Sequence, residues 1–131
     1  HTLGSDFMPS PTHSGGLRYH GMAPMLSHLV HHGHVEPRAY GQKECFEVGI
    51  QFARTEGIIP APEATHAIKG AVDEALKCKQ KGESKAILFN LCGHGHFDMQ
   101  AYNDYFSGNL AEDKFDEKAF EESMAAIPPV N

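Results

Sequence analysis

Cys92-Gly93-His94-Gly95-His96 directly follows the apolar run Ala86-Ile87-Leu88-Phe89-Asn90-Leu91. Two glycines there let the backbone bend tightly and approach a bound group more closely than a Cβ permits. Many folds carry such a turn with no ligand on it, so alone it marks a candidate site and no more. Glu63, between Pro62 and Ala64, stands at an expected helix start. A carboxylate there serves the free amides of the first turn, or it leans over a flat ligand at the same end of the fold; both readings stay open. Ten histidines raise the question of a metal. The cluster His28, His31, His32 and His34 lacks a carboxylate or thiolate at ligand spacing, and His94 and His96, alternating along extended backbone, are expected to face opposite ways, so no metal site is expected. Glu44 and Glu47 could pair as acid and base, but read more simply as the solvated face of a helix. Arg18 and Arg38 are candidate anion clamps, and Arg54 an ordinary surface ion-pair partner.

The elements that must position these groups follow from spacing. Residues 1–41 are expected to form a loop-rich segment, shaped by Pro9, Pro11, Gly15 and Gly16, with one short helix from the spacing of Met25, Leu26, Leu29 and Val30. From Gln42 to Glu56, Cys45, Phe46, Val48, Gly49 and Phe52 make an apolar stripe on a helix that Gly57 stops. Ile58-Ile59-Pro60-Ala61-Pro62 is a stiff connector, and a second helix runs from about residue 63 to Lys81 with Ile68, Ala71, Val72, Ala75 and Leu76 on its buried face. The run 85–91 reads as a strand buried on both faces of a parallel sheet, so the fold class is α/β, with the glycine turn at the carboxyl end of the strand, where such sheets place ligands. Helix, helix, strand and glycine turn occupy residues 42–106. Residues 107–131 are expected to be a carboxy-terminal helix and tail, the helix near residues 116–126 and the ordered part closing at Pro128-Pro129.

Bulk properties narrow the class. A chain of 131 residues, 40% hydrophobic and with a formal charge of -6, can bury a core and carries no nucleic-acid footprint. Three cysteines without a C-x-x-C pair argue against a disulfide framework and for a reducing, cytoplasmic setting. No apolar run approaches the roughly 18 residues of a membrane span. The chain opens at His1 in what reads as mid-protein sequence, which leads us to expect a fragment, a processed chain or a separate segment.

Three stretches say more than periodicity does. They are Gly4-Ser5-Asp6-Phe7 through Gly15-Gly16-Leu17-Arg18-Tyr19-His20-Gly21; Glu44-Cys45-Phe46-Glu47 through Glu56-Gly57-Ile58-Ile59-Pro60-Ala61-Pro62-Glu63-Ala64-Thr65-His66-Ala67; and Phe89-Asn90-Leu91-Cys92-Gly93-His94-Gly95-His96-Phe97-Asp98. Together they resemble the carboxy-terminal part of the pyridoxal-phosphate (PLP) dependent tryptophan synthase beta chains, in their second, stand-alone subfamily. The Glu-Gly-Ile-Ile-Pro-Ala segment and the Asn-Leu-x-Gly-x-Gly turn are shared with the common beta chains; Gly-Gly-Leu-Arg-Tyr-His-Gly and the double His look like the second type. The resemblance covers nearly all of residues 1–106.

The resemblance implies the last portion of the large domain of a fold type II PLP enzyme, with parallel strands flanked by helices. It implies β-replacement of serine, or phosphoserine, by indole to give tryptophan, with PLP as the electron sink, in a homodimer. By position, Cys92 matches the residue facing the pyridine nitrogen and Glu63 an acidic residue beside the ring; Gly93 and Gly95 would allow close packing against the cofactor, with His94 near its edge. The family usually has serine where Cys92 stands. The Schiff-base lysine, the phosphate-cradling loop and the acid acting on the serine hydroxyl match nothing here, and Lys43, Lys69 and Lys85 read as ordinary surface lysines. Activity is therefore expected only with an amino-terminal remainder, as the same or a second chain. Alternatives from other classes are a non-catalytic oligomerisation module, another PLP elimination activity, and a His-rich metal-binding domain.

Overall fold

The computed structural model describes residues 1–111 and 115–128. It contains five α-helices among them: α1 (Pro24–His31), α2 (Gln42–Glu56), α3 (Pro62–Lys81), α4 (Met99–Phe106) and α5 (Glu117–Ala125). Short 3₁₀ turns lie at Gly15–Leu17 and Gly95–Phe97.

The body is the α2–α3 pair, the most extensive packing between elements. Gln42, Cys45, Phe46, Val48 and Gly49 are buried on α2, spaced as one helical face, and Pro62, Ala64, Thr65, Ile68 and Cys78 on α3. The Glu44 side chain reaches back to accept from the Gly41 amide at 2.6 Å, closing the first turn of α2. Gly57, in the left-handed region, ends α2 with its N–H on the Ala53 carbonyl, as its position predicts. α4 lies across this pair: Phe46, Ala101, Tyr102 and Leu110 form the core cluster, flanked by Ile50, Ile59 and Tyr105. The Phe46 ring meets Tyr102 edge-on at 5.0 Å and stacks on Tyr105 at 6.0 Å. Burying a side chain of that size stabilises the fold by roughly 1.5–3 kcal/mol.

The amino-terminal loop closes over one flank. Ser123 on α5 donates to the Leu3 carbonyl at 2.7 Å, and Phe7 meets Phe115 and Phe120, each at 6.2 Å between ring centres. Asp116 caps α5 by accepting from the Ala119 amide at 3.0 Å. Of the tail, residues 112–114 and 129–131 lie outside the described residues, Pro129 among them.

The strand expected over 85–91 is absent. That segment is extended but pairs with nothing, and among the described residues β-structure is limited to isolated bridges, Thr2 with Gly21 and Pro60 with His94. Its apolar side chains are exposed where the sequence pattern predicts burial; Leu88 is 97% accessible. The physical reason is that a central strand needs ladder partners on both edges and covered faces, and the described residues offer neither. Phe89 meets Phe52 at 6.0 Å, and Ile87, Leu88 and Phe89 line an open groove with Arg38, Ala67 and Gly70. The architecture of the described residues is thus helical.

Candidate functional site

The site grows from the connector between α2 and α3. Pro60 and Pro62 fix their own φ, and Pro62 opens α3 at a first-turn position where a missing amide N–H costs nothing. Polar groups then converge on the two proline carbonyls. Tyr102 donates its hydroxyl to the Pro60 carbonyl at 2.6 Å, Thr65 its hydroxyl to the Pro62 carbonyl at 2.6 Å, and the His66 ring nitrogen Nδ1 stands 3.0 Å from the latter. The start of α3 is rigid, and Glu63 is its first carboxylate.

The glycine turn docks on this connector. Pro60 and His94 form an antiparallel bridge, the Gly95 amide donates to the Ile59 carbonyl at 2.8 Å, and the Ala61 amide reaches the Gly93 carbonyl at 3.5 Å. Gly93 holds φ +80°, a left-handed conformation that suits glycine. A Cβ at Gly95 would lie 2.5 Å from the Pro60 carbonyl oxygen and 3.0 Å from the Tyr102 ring, so only glycine fits. The inner side of the turn is therefore protein-packed, while Cys92, Gly93 and His94 are exposed on its outer side.

Of the residues singled out from sequence, Glu63 and the 92–95 turn are brought to the same end of α3. Glu63 is half-buried, and its Oε1 accepts from the Gly16 amide at 2.9 Å. Electrostatics add two residues that sequence reasoning missed. Asp98 sits at the amino end of α4, and its side chain makes no capping bond. Burial, then repulsion from Glu63, raises its pKa above the usual aspartate range, against the pull of His13 and His94. Burial, with Asp98 nearby, likewise pushes the Tyr102 hydroxyl up to about 12. His13, Glu63, His94 and Asp98 are thus one electrostatic group. The signal that could have found Asp98 is its place three residues after Gly95, before a helical pattern.

The other candidates are dispersed. Arg38 binds Glu36 at 3.1 Å and Glu74 at 3.2 Å, and Arg18 donates to the Pro9 carbonyl at 3.1 Å. Glu44 serves the α2 cap and lies 3.6 Å from Lys69, which also pairs with Asp73; Lys85 pairs with Glu83 at 2.6 Å. His94 and His96 do not diverge: the 3₁₀ turn folds their rings to 4.6 Å, with the His96 amide donating to His94 Nδ1 at 3.3 Å. Among the described residues no three His, Cys, Asp or Glu side chains gather in a metal-holding group, and no helix is long and apolar enough to cross a membrane. A cavity of about 560 Å³ opens on the other side of Gly16, lined chiefly by apolar groups including Leu3, Leu17, Met22 and Leu26.

No protein-family model matches the chain. Curated proteins do. The chain is 60% identical over 112 residues to "Tryptophan synthase beta chain 2" of Aquifex aeolicus, a match over 86% of this chain and 26% of that protein. It is 61% identical over 110 residues to the protein of the same name from Methanosarcina mazei, covering 84% of this chain and 25% of that one. This chain is homologous to tryptophan synthase beta chains. Against "Tryptophan synthase beta chain" of Pyrococcus horikoshii the identity is 50% over 129 residues, 98% of this chain and 28% of that protein, so the α3 start and the glycine turn both lie within the similarity to tryptophan synthase beta chains. The chain spans about a quarter of the length of the relatives it matches.

Proposed function

We propose that this chain is the carboxy-terminal portion of a PLP-dependent enzyme of fold type II that replaces the β-substituent of serine, or phosphoserine, with indole to give L-tryptophan. It works only with an amino-terminal portion that brings the Schiff-base lysine and the phosphate cradle, in a homodimer, and in the cytoplasm, where its three free cysteines remain thiols. The observation that carries this is the docking of the glycine turn on the Pro60–Pro62 connector, which sets Cys92 and Glu63 at one end of α3 in a chain 60% identical to a tryptophan synthase beta chain. Residues 42–106 make up the cofactor-facing portion, 1–41 the loop that closes over it, and 107–131 the trailing helix and tail. The run 86–91 becomes a sheet strand once neighbouring strands pair with it.

The residues present fit the ring side of PLP. Cys92 is accessible on the turn, Gly93 adds no bulk beside it, and Glu63 is held by an amide and makes no ion pair among the described residues. Cys92, Gly93, His94 and Glu63 would line the cofactor, and Gly95, buried against Pro60, would hold the turn against it. Bound PLP supplies the electron sink for bond breaking at the amino-acid substrate. Cys92 offers the ring nitrogen a thiol and not a carboxylate, so no full negative charge draws a proton onto that nitrogen. That restrains charge spread into the ring and favours replacement over transamination. Gly95 sets the position of Cys92 by seating the turn on Pro60, and His94 lines the edge. The apolar cavity beside Gly16 suits an aromatic co-substrate.

The test is to join the chain to an amino-terminal portion carrying the lysine and follow PLP absorbance and indole consumption with serine and with phosphoserine. The expected result is both, with Cys92→Ser within a few-fold of the parent and Cys92→Asp yielding a larger share of other PLP products. PLP should also slow alkylation of Cys92. Absence of PLP binding overturns the reading, and unchanged product ratios in Cys92→Asp overturn the ring contact.

A further inference from the structure

The amino-terminal loop reaches the proposed site at one place, and it is pinned on both sides of it. The His13 amide donates to Gln42 Oε1 at 3.0 Å, and Gln42, buried at the start of α2, donates onward to the Ala111 carbonyl at 2.8 Å. Ser14 is buried, with its hydroxyl 2.9 Å from that of Thr12. Three residues beyond His13, the Gly16 amide donates to Glu63 Oε1 at 2.9 Å. The backbone there passes so close that a Cβ on Gly16 would lie 3.1 Å from Glu63 Cγ and 3.2 Å from Oε1, whereas one on Gly15 would meet nothing within 4 Å. The same segment places His13 where it opposes the charge of Asp98. Among the described residues Glu63 makes no ion pair; its carboxylate is aimed by a backbone donor, and a backbone donor cannot swing away as a lysine does.

We propose that Gly16 is a positioning residue for Glu63, its amide holding the carboxylate in the orientation the cofactor site uses. The proposal rests on the reading above, in which Glu63 lies beside the ring. A hydrogen bond to a charged acceptor is among the stronger ones, and a misaimed group at a reacting centre lowers the rate more than it lowers binding. The methyl of Gly16→Ala requires the Glu63 side chain to shift by a few tenths of an ångström against its donor, and Gly15→Ala is the matched control.

The completed enzyme, loaded with PLP, is compared as the parent, Gly15→Ala, Gly16→Ala, Glu63→Gln and the Gly16→Ala/Glu63→Gln double variant. The readouts are the absorbance spectrum of the bound cofactor with serine, kcat and KM for serine, and thermal midpoint. Gly16→Ala is expected to move the spectrum in the same direction as Glu63→Gln and to lower kcat about tenfold, with a smaller change in KM; Gly15→Ala matches the parent, and the double variant matches Glu63→Gln. A parent-like Gly16→Ala, or effects that add in full in the double variant, overturns the inference while the functional reading stands. A parent enzyme that binds no PLP overturns both.

Discussion

The carboxylates of Asp98 and Glu63 show how the same residue type does different work in different surroundings. Glu63 has an amide donor at 2.9 Å, whereas Asp98 declines the capping role its position offers and is left facing another carboxylate. Burial first, and Glu63 second, hold the Asp98 proton more tightly in the folded chain than in the unfolded one. The stability that this group contributes is therefore fully present below the unfolded pKa and is lost as pH rises through the folded value. Asp98→Asn removes the proton equilibrium. The variant is expected to be the more stable of the two at neutral pH, with the gap closing as pH falls below the ordinary aspartate range. Urea unfolding midpoints measured between pH 3 and 8 check this; a gap that widens toward acid contradicts it.

The glycine turn and the α2–α3 connector act as a single unit, and Gly95 is where they touch. An alanine there drives its methyl against the Pro60 carbonyl and the Tyr102 ring, neither of which is the loose end of a flexible side chain. Overpacking of this kind costs about 1–3 kcal/mol, so Gly95→Ala should lower the unfolding free energy measured in urea by that amount, with the midpoint falling in proportion; no loss of stability would mean that the turn is not seated on the connector. The helices around this unit were legible in the sequence. Apolar spacing over 42–56 and from about 63 to 81 returned the bounds of α2 and α3 nearly to the residue, because one-sided burial imprints a helical period and Gly57 a stop, although Ala75 and Leu76, expected on the buried face of α3, are exposed. The run 86–91 was not, because continuous apolar character states that both faces are covered without saying by what. The seating of the glycine turn on the connector rests on two prolines and two glycines that the sequence displays. His13 and Gly16 escaped notice because a backbone amide donor leaves no pattern in residue types.

Taken as a body, the chain covers its core around Phe46 but leaves large apolar groups open on several sides. Leu88 and Phe97 are more than nine-tenths exposed, and Met8 and Met25 more than three-quarters. Scattered exposed apolar residues are normal on a monomer, but Leu88 lies within the unpaired run from Ala86 to Leu91, where unmatched amides and carbonyls accompany the apolar surface. Phe97 stands on the glycine turn itself, so the open surface continues to the proposed cofactor face. A strand edge and an apolar ring left in water destabilise a fold that their burial would support, and the α2–α3 pair with α4 is too small a core to compensate. The isolated chain is accordingly expected to bind the dye ANS and to unfold over a broad range at low temperature. Joined to the amino-terminal portion, it should lose most of the dye signal and melt in one cooperative step. Calorimetry and dye fluorescence on the two forms decide the matter. A sharp transition and no dye binding in the monomeric chain alone would show that Leu88 and Phe97 face water in the mature protein, and that the extended run is not a strand awaiting its neighbours.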